Sequence, residues 1–164
     1  MELQLFGINH KTAKLSEREL FIINDSNQDD FINFLKREFG DNIESFYALS
    51  TCNRTEVYCE GVKVDQLMNA LSEVSGGPLD TLKEIAFIKE GLAAAKHLFS
   101  VGCGLDSQII GDFEIIGQVK KAFALSLECA SSKAFLDRLV SLVIKASKRI
   151  KSETNLSSGA TSVS

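Results

Sequence analysis

Short β-type runs and amphipathic helical stretches follow one another in the first half of the chain. Residues 3–8 form a β-type run, which predicts a first strand. Ser16 and Glu19 have the spacing of a capping box, which indicates the start of a short helix. Residues 31–39 carry apolar side chains at helical spacing and are followed by Gly40, so we expect a second helix that ends there.

The next stretch predicts a hairpin, a helix and one more strand. Residues 43–49 and 56–58 with their neighbours are β-prone and are joined by the polar turn 50–55. Residues 64–74 have a helical period, and the short β-prone run 85–88 favours a fourth strand. The resulting order β-α-(α)-β-β-α-β is that of the split βαβ, or ferredoxin-like, fold. We therefore expect an α+β structure with a four-stranded antiparallel sheet and helices on one face.

The second half of the chain has a purely helical pattern. Residues 92–101, 109–127 and 135–150 carry apolar positions three and four apart, which predicts a helical subdomain packed behind the sheet. The remaining residues are small and polar and are interpreted as a linker. The predicted organisation is an α+β subdomain at 1–90, a helical subdomain at 91–150 and a linker at 151–164.

Composition and charge narrow the class of protein. A chain of 164 residues with 45% hydrophobic and 24% charged residues can bury a substantial core, as expected of a soluble globular protein. No apolar run approaches the roughly 20 residues that span a bilayer, and the N-terminus lacks signal-peptide organisation, so we expect a cytoplasmic protein. The net charge of −4 argues against a general nucleic-acid coat protein, and we expect neither DNA nor a membrane as a partner. A basic cluster at 145–151 fits either a solvated helix face or a local phosphate contact.

One cysteine stands out among the four in the chain. None forms a CxxC pair, so free thiols are expected rather than a zinc site or a redox couple. Cys52 lies in the polar turn near Arg54, a cation that would stabilise the thiolate and lower the pKa of the thiol from its usual value of about 8.5. A reactive nucleophile and a structural turn cysteine both fit this position. Cys59 lies on a predicted strand and Cys129 on a predicted helix, and both are expected to pack in the core. The pattern predicts neither a core nor a reactive role for Cys103.

Two histidines are available for proton transfer. His97 lies on an amphipathic helix, where an acid–base role and a core role both fit, and His10 leaves a strand into a loop. Gly102 and Gly104 have the spacing of the first two glycines of a dinucleotide-binding fingerprint. Ser107 replaces the third glycine and a helix precedes the motif, so we exclude a nucleotide site here.

Three ordered motifs resemble the glutamyl-tRNA reductase family, and the likeness covers nearly the whole chain. Residues 7–13 are similar to the family's first strand and loop, 50–58 to its nucleophile signature and 97–120 to its second signature. The tail at 151–164 is similar to the joint that leads into the family's nicotinamide domain. The NADPH-binding domain and the dimerising helices of the family are therefore expected outside this chain.

The resemblance implies a thioester mechanism. Cys52 would take the glutamyl group from glutamyl-tRNA, and NADPH would reduce that thioester to glutamate 1-semialdehyde, a tetrapyrrole precursor. His97 would transfer a proton, and the Arg54 fork would hold the substrate carboxylate. No metal is implied. The substrate-binding residues implied by the resemblance are Thr51, Asn53, Arg54, Ser107, Asp112, Glu114 and Gln118.

The chain departs from the family pattern at two positions. Residues 111–114 are Gly-Asp-Phe-Glu, where many members have Gly-Glu-Pro-Gln or Gly-Glu-Gln-Glu. Cys103 replaces a Ser or Ala that is common in the family. The first change puts in doubt any polar substrate contact at Phe113. Two other functions stay open: a thiol esterase or acyltransferase that uses no nicotinamide, and a catalytically silent module that binds tRNA or a protein.

Overall fold

A four-stranded antiparallel sheet lies between two layers of helices in the computed structural model, which describes residues 2–129 and 134–156. The strands are β1 Gln4–Asn9, β2 Ser45–Thr51, β3 Arg54–Glu60 and β4 Phe87–Glu90. They are ordered β2-β3-β1-β4, and each neighbouring pair is antiparallel. β3 is thus inserted between β2 and β1, as in the split βαβ fold. The predicted α+β class is confirmed.

Helices cover both faces of the sheet. One layer contains α1 Leu15–Arg18, α2 Gln28–Phe39, α3 Val64–Ser75 and α4 Leu79–Ile85, with short 3-10 turns at Glu19–Phe21 and Gly40–Asn42. The other contains α5 Gly91–Gly102, α6 Glu114–Cys129 and α7 Ala134–Glu153. The second half of the chain therefore packs behind the sheet as predicted.

Alternation along the strands explains why both faces are covered. Phe6 and Val57 point into the core shared with α2–α4, whereas Leu5 and Tyr58 point into the core shared with α5–α7. All four are fully buried. Burying a side chain of this size contributes about 1.5–3 kcal/mol to the stability of the fold. Apolar packing against the strands therefore attaches each helical layer to the sheet. Cys59 is buried among the first group, as expected, and the side chain of Cys129 lies outside the described part of the chain.

Two local predictions are wrong. α1 begins at Leu15, and the backbone N–H of Lys14 donates to Glu17 Oε2 at 2.7 Å, so this capping bond forms two residues earlier than the Ser16 and Glu19 pattern indicated. The fourth strand begins at Phe87 rather than at residue 85. Its predicted start belongs to α4, whose seven residues are too few to display a helical period.

The boundaries of the helical half differ slightly from expectation. β4 ends at Glu90 and α5 begins at Gly91. The division into two subdomains, at 1–90 and 91–150, stays a prediction. α7 continues to Glu153, and residues 157–164 of the predicted linker lie outside the described part of the chain. Within the described residues, no helix is both long and apolar enough to cross a bilayer.

Candidate active site

The turn of the β2–β3 hairpin presents a thiol to solvent. Pairing continues to Thr51 opposite Arg54, which leaves Cys52 and Asn53 as a two-residue connection. Cys52 is exposed, whereas Cys59 and Cys103 are buried. Burial raises the pKa of Cys59 to about 12 and also raises the pKa of Cys103. Among these three thiols, Cys52 is therefore the one available for reaction.

Contacts from two directions fix the turn. The backbone N–H of Asn53 donates to Thr51 Oγ1 at 3.1 Å within the hairpin. His10, just after β1, donates its backbone N–H to the Asn53 carbonyl at 3.0 Å, and Arg18 Nε of α1 donates to the Cys52 carbonyl at 3.4 Å. The position of the thiol is thus set by the sheet and by the helix that follows β1.

A cleft of about 760 Å³ opens beside the thiol. It lies between the end of β2, the segment 22–28 and one side of α6. The polar groups of its lining include Ser50, Thr51, Cys52, Gln118, Lys121 and Asp25. Lys121 and Asp25 form an ion pair at 3.7 Å, but their side chains are 69% and 84% exposed. Such an exposed pair contributes little to stability, so both groups are free to exchange partners.

A buried polar network occupies the α5-facing side of the sheet. Glu56 is fully buried, and its Oε1 accepts from Arg54 Nη1 at 2.9 Å and lies 2.9 Å from His97 Nε2. Its Oε2 accepts from the Tyr58 hydroxyl at 2.9 Å. Arg54 donates in addition to Asp106, from Nη1 to Oδ2 at 3.1 Å and from Nη2 to the carbonyl at 2.7 Å. The loop after α5 is thereby joined to β3.

Charge balance makes this burial tolerable. Arg54 is 2% exposed, and an unpaired guanidinium there would cost several kcal/mol. It faces the carboxylates of Glu56 and Asp106, and Lys11 pairs with Asp106 from the surface. Burial raises the pKa of Asp106, but hydrogen bonds from Lys11 and Arg54 outweigh it and the pKa lies below its ordinary value. Burial and the Glu56 carboxylate raise the pKa of Tyr58, so its hydroxyl remains a donor.

The same cluster resembles a metal site only in its spacing. Ligand atoms of Glu56, His97 and Asp106 lie within 4.8 Å of one another. The Arg54 guanidinium donates to both carboxylates, so a cationic side chain already occupies the position that a metal ion would need. The donor set is therefore explained by an ion-pair network.

The two histidines differ in their surroundings. His97 packs its ring against Phe87 with centroids 5.0 Å apart, and its side chain is 9% exposed. It belongs to the Glu56 network and is not among the described residues that line the Cys52 cleft. His10 is half-buried, and its Nδ1 is buried without a hydrogen-bond partner in the described part of the chain. Burial, followed by the nearby Arg54, lowers the pKa of His10 and favours the neutral imidazole.

The predicted site residues fall into separate groups. Thr51, Cys52 and Gln118 meet at the cleft, whereas Arg54 and His97 meet in the buried network. Asn53 is in the turn, and Ser107 follows Asp106 in the loop after α5. Asp112 and Glu114 lie at the start of α6, where Asp112 Oδ1 accepts from the Glu114 N–H at 2.9 Å. Such a bond is typical of an acidic residue that caps the start of a helix.

Sequence reasoning missed four residues of the network: Lys11, Glu56, Tyr58 and Asp106. A signal existed for two of them, because Arg54, Glu56 and Tyr58 alternate along β3 and so point to one face of the sheet. Nothing local indicates Asp106, which reaches Arg54 from 52 positions away.

The fold and the site together define an α+β domain of the split βαβ type that presents an exposed cysteine beside a cleft. The chain belongs to the family described as "Glutamyl-tRNAGlu reductase, N-terminal domain", whose model matches residues 6–154. The family predicted from the three motifs is thereby confirmed.

Individual relatives agree with this assignment. Glutamyl-tRNA reductase of Flavobacterium psychrophilum is 45% identical over 158 residues, which are 96% of this chain and 38% of the relative. Glutamyl-tRNA reductase 2 of Flavobacterium johnsoniae is also 45% identical, and the match covers 36% of its length. The structure of Glutamyl-tRNA Reductase from Methanopyrus kandleri has a TM-score of 0.74 and 30% identity, with 93% of this chain and 35% of that chain covered. The chain thus spans well under half of each of these proteins.

Proposed function

We propose that this chain is the catalytic domain of a glutamyl-tRNA reductase, in which Cys52 accepts the glutamyl group of glutamyl-tRNA. The observation that carries the proposal is the position of Cys52, an exposed thiol on a fixed turn beside a cleft, in a chain of this family. The cleft of about 760 Å³ is within the size range of ligand sites, about 300–1,000 Å³. It is large enough for an aminoacyl group and part of the nucleotide that bears it.

The proposed step is an acyl transfer. The Cys52 thiolate attacks the ester carbonyl carbon, the bond from that carbon to the ribose oxygen breaks, and the ribose oxygen takes up a proton. The product is a glutamyl thioester on Cys52 and free tRNA. A thioester carbonyl accepts a hydride more readily than the ester it replaces, so a difficult reduction is divided into two easier steps.

His97 is proposed to move the proton. Glu56 Oε1 accepts from Arg54 and lies 2.9 Å from His97 Nε2, so an Nε2–H donated to this carboxylate would leave the Nδ1 lone pair free to take up a proton. A carboxylate that fixes the orientation and tautomer of an imidazole is the arrangement used by general bases in acyl transfer. This hydrogen bond supports the assignment made from the family resemblance.

Substrate contacts are proposed from the lining of the cleft and from the network. Thr51 and Gln118 would hydrogen-bond the substrate within the cleft. Arg54 would bind the glutamate carboxylate, for which one of its present partners has to leave. The remaining candidates are Asn53 in the turn, Ser107 in the loop after α5, and Asp112 and Glu114 at the start of α6.

Reduction would require NADPH, which supplies the hydride. In the described residues, Gly102 and Gly104 end a helix instead of following a strand, so this motif does not fit a dinucleotide phosphate. We propose that the NADPH site and the contacts of a homodimer belong to the part of the relatives that this chain does not cover. The whole enzyme is proposed to act in the cytoplasm and to serve tetrapyrrole synthesis.

The proposal predicts that this chain carries out acyl transfer to Cys52 without the reduction that needs NADPH. The 164-residue chain should slowly release free glutamate from glutamyl-tRNA at low salt, because the thioester on Cys52 is open to water. It should form no semialdehyde with or without NADPH. Glutamate and aldehyde release would be measured with the Cys52→Ser protein as the blank. NADPH-dependent aldehyde would contradict the proposed location of the cofactor, and tRNA binding without any release beyond the blank would contradict acyl transfer by this chain.

A further inference from the structure

The Arg54 guanidinium is occupied by the protein's own carboxylates. Asp106 engages it through two acceptors, its Oδ2 and its backbone carbonyl, and Glu56 provides a third. Two parallel acceptors on one guanidinium are what a substrate carboxylate would offer. With Arg54 2% exposed, an incoming carboxylate has no free side of the fork to approach.

The two carboxylates are held very differently. Glu56 lies on β3, is 0% exposed, and has Arg54, His97 and Tyr58 as partners. Asp106 has a side chain that is 14% exposed, and its other partner is Lys11, a surface residue that is 57% exposed. Asp106 can therefore leave Arg54 for solvent at lower cost, whereas Glu56 cannot leave without uncovering a buried charge.

The loop that carries Asp106 is closed at its base. It runs from Gly104 to Gly111, both with positive φ (74° and 85°), and the Gly111 N–H donates to the Gly104 carbonyl at 3.1 Å. Ile109 and Ile110 in this loop are exposed rather than packed in either core. The Asp106 N–H donates to the Ser100 carbonyl of α5 at 3.2 Å, so the backbone stays attached to this helix and only the carboxylate has to leave Arg54, by rotation of the side chain.

We infer that Asp106 is an affinity-setting residue of the substrate site: its carboxylate occupies the Arg54 fork in the free protein and must be displaced by the carboxylate of the substrate. The inference rests on the proposed role of Arg54 in binding that group. Only the fraction of molecules with Arg54 released is competent to bind, so the apparent dissociation constant is raised by the inverse of that fraction. Lys11 pairs with Asp106 while Asp106 occupies the fork, so this ion pair lowers the released fraction.

Glutarate, a five-carbon dicarboxylate, is a probe that needs no tRNA. Its binding would be measured as protection of Cys52 from alkylation by the neutral reagent iodoacetamide. Asp106→Asn should lower the half-protecting concentration by about tenfold, the scale of one charge-assisted hydrogen bond. Adding Arg54→Gln should remove the protection. Glu19→Gln is the matched control, since it neutralises an exposed acid beside Arg18 and should leave protection unchanged.

Lys11→Gln gives a second test. The Lys11 side chain is 57% exposed, so the variant is expected to fold as the native chain does. It should strengthen protection about two- to threefold, a surface-pair effect, because docked Asp106 loses one partner, and it should have no effect once Asp106→Asn is present. Protection that is unchanged or weaker in Asp106→Asn overturns the inference, as does an equal change in protection by Lys11→Gln in both backgrounds. Absence of glutarate protection in every variant also overturns it, yet leaves acyl transfer to Cys52 intact. Glutarate protection without capture of glutamate from glutamyl-tRNA would instead count against the proposed function alone.

Discussion

Glu56 and His97 are joined by a 2.9 Å contact between Glu56 Oε1 and His97 Nε2, although they are 41 positions apart in the chain. The contact connects β3 to α5 and brings the imidazole to the same carboxylate that neutralises Arg54. The hairpin that presents Cys52 and the helical layer are therefore linked by a polar network as well as by apolar packing.

Replacing the shared carboxylate tests the network. Glu56→Gln should lower the free energy of unfolding by about 3–5 kcal/mol, because Arg54 loses a buried counter-ion. Tyr58→Phe removes one neutral donor and should cost about 1 kcal/mol. Both values would come from urea unfolding at neutral pH. A loss below that of Tyr58→Phe would show that Glu56 is not needed to balance Arg54.

Thiol reactivity should follow exposure in the folded chain. Cys52 should be alkylated first, while Cys59 should stay unmodified because burial raises its pKa to about 12. Peptide mapping after brief iodoacetamide treatment measures this order, and the same treatment in denaturant serves as the control. Preferential labelling of Cys59 or Cys103 under native conditions would contradict the described packing.

Arg54→Lys retains the positive charge but loses the planar fork. Capture of glutamate should weaken by about 1–3 kcal/mol, and discrimination against glutamine should relax. The rates of acyl transfer from glutamyl-tRNA and glutaminyl-tRNA would be compared at equal concentrations. Unchanged selectivity would mean that Arg54 holds the network together without touching the substrate carboxylate.

The stability contributed by Asp106 should depend on pH. Its pKa is lower in the folded chain than the unfolded value of about 3.9, so its contribution is complete above that value and disappears as pH falls through the folded pKa. The difference in unfolding free energy between the native chain and Asp106→Asn should therefore shrink on acidification. Urea titrations at about pH 6 and about pH 2 compare the two ends of this range. A difference that grows in acid would contradict the ion pairs with Arg54 and Lys11.

The hairpin and its turn could be predicted because both strands are β-prone and the connection is polar over a short stretch. The network could not, because its members are contributed by β3, α5 and the following loop and meet only after the helical layer has packed. α4 was missed because seven residues do not display a period. Local patterns thus predicted where Cys52 lies, but not which carboxylates surround Arg54.

The central claim, that Cys52 accepts a glutamyl group, is tested most directly by mass spectrometry of the chain after brief mixing with glutamyl-tRNA and acid quenching. A glutamyl adduct should appear on the peptide that contains Cys52, should be removed by hydroxylamine as expected of a thioester, and should be absent from Cys52→Ser. Cys103→Ser should form the adduct as the native chain does. An adduct on another residue, or equal labelling of Cys52→Ser, would contradict the account.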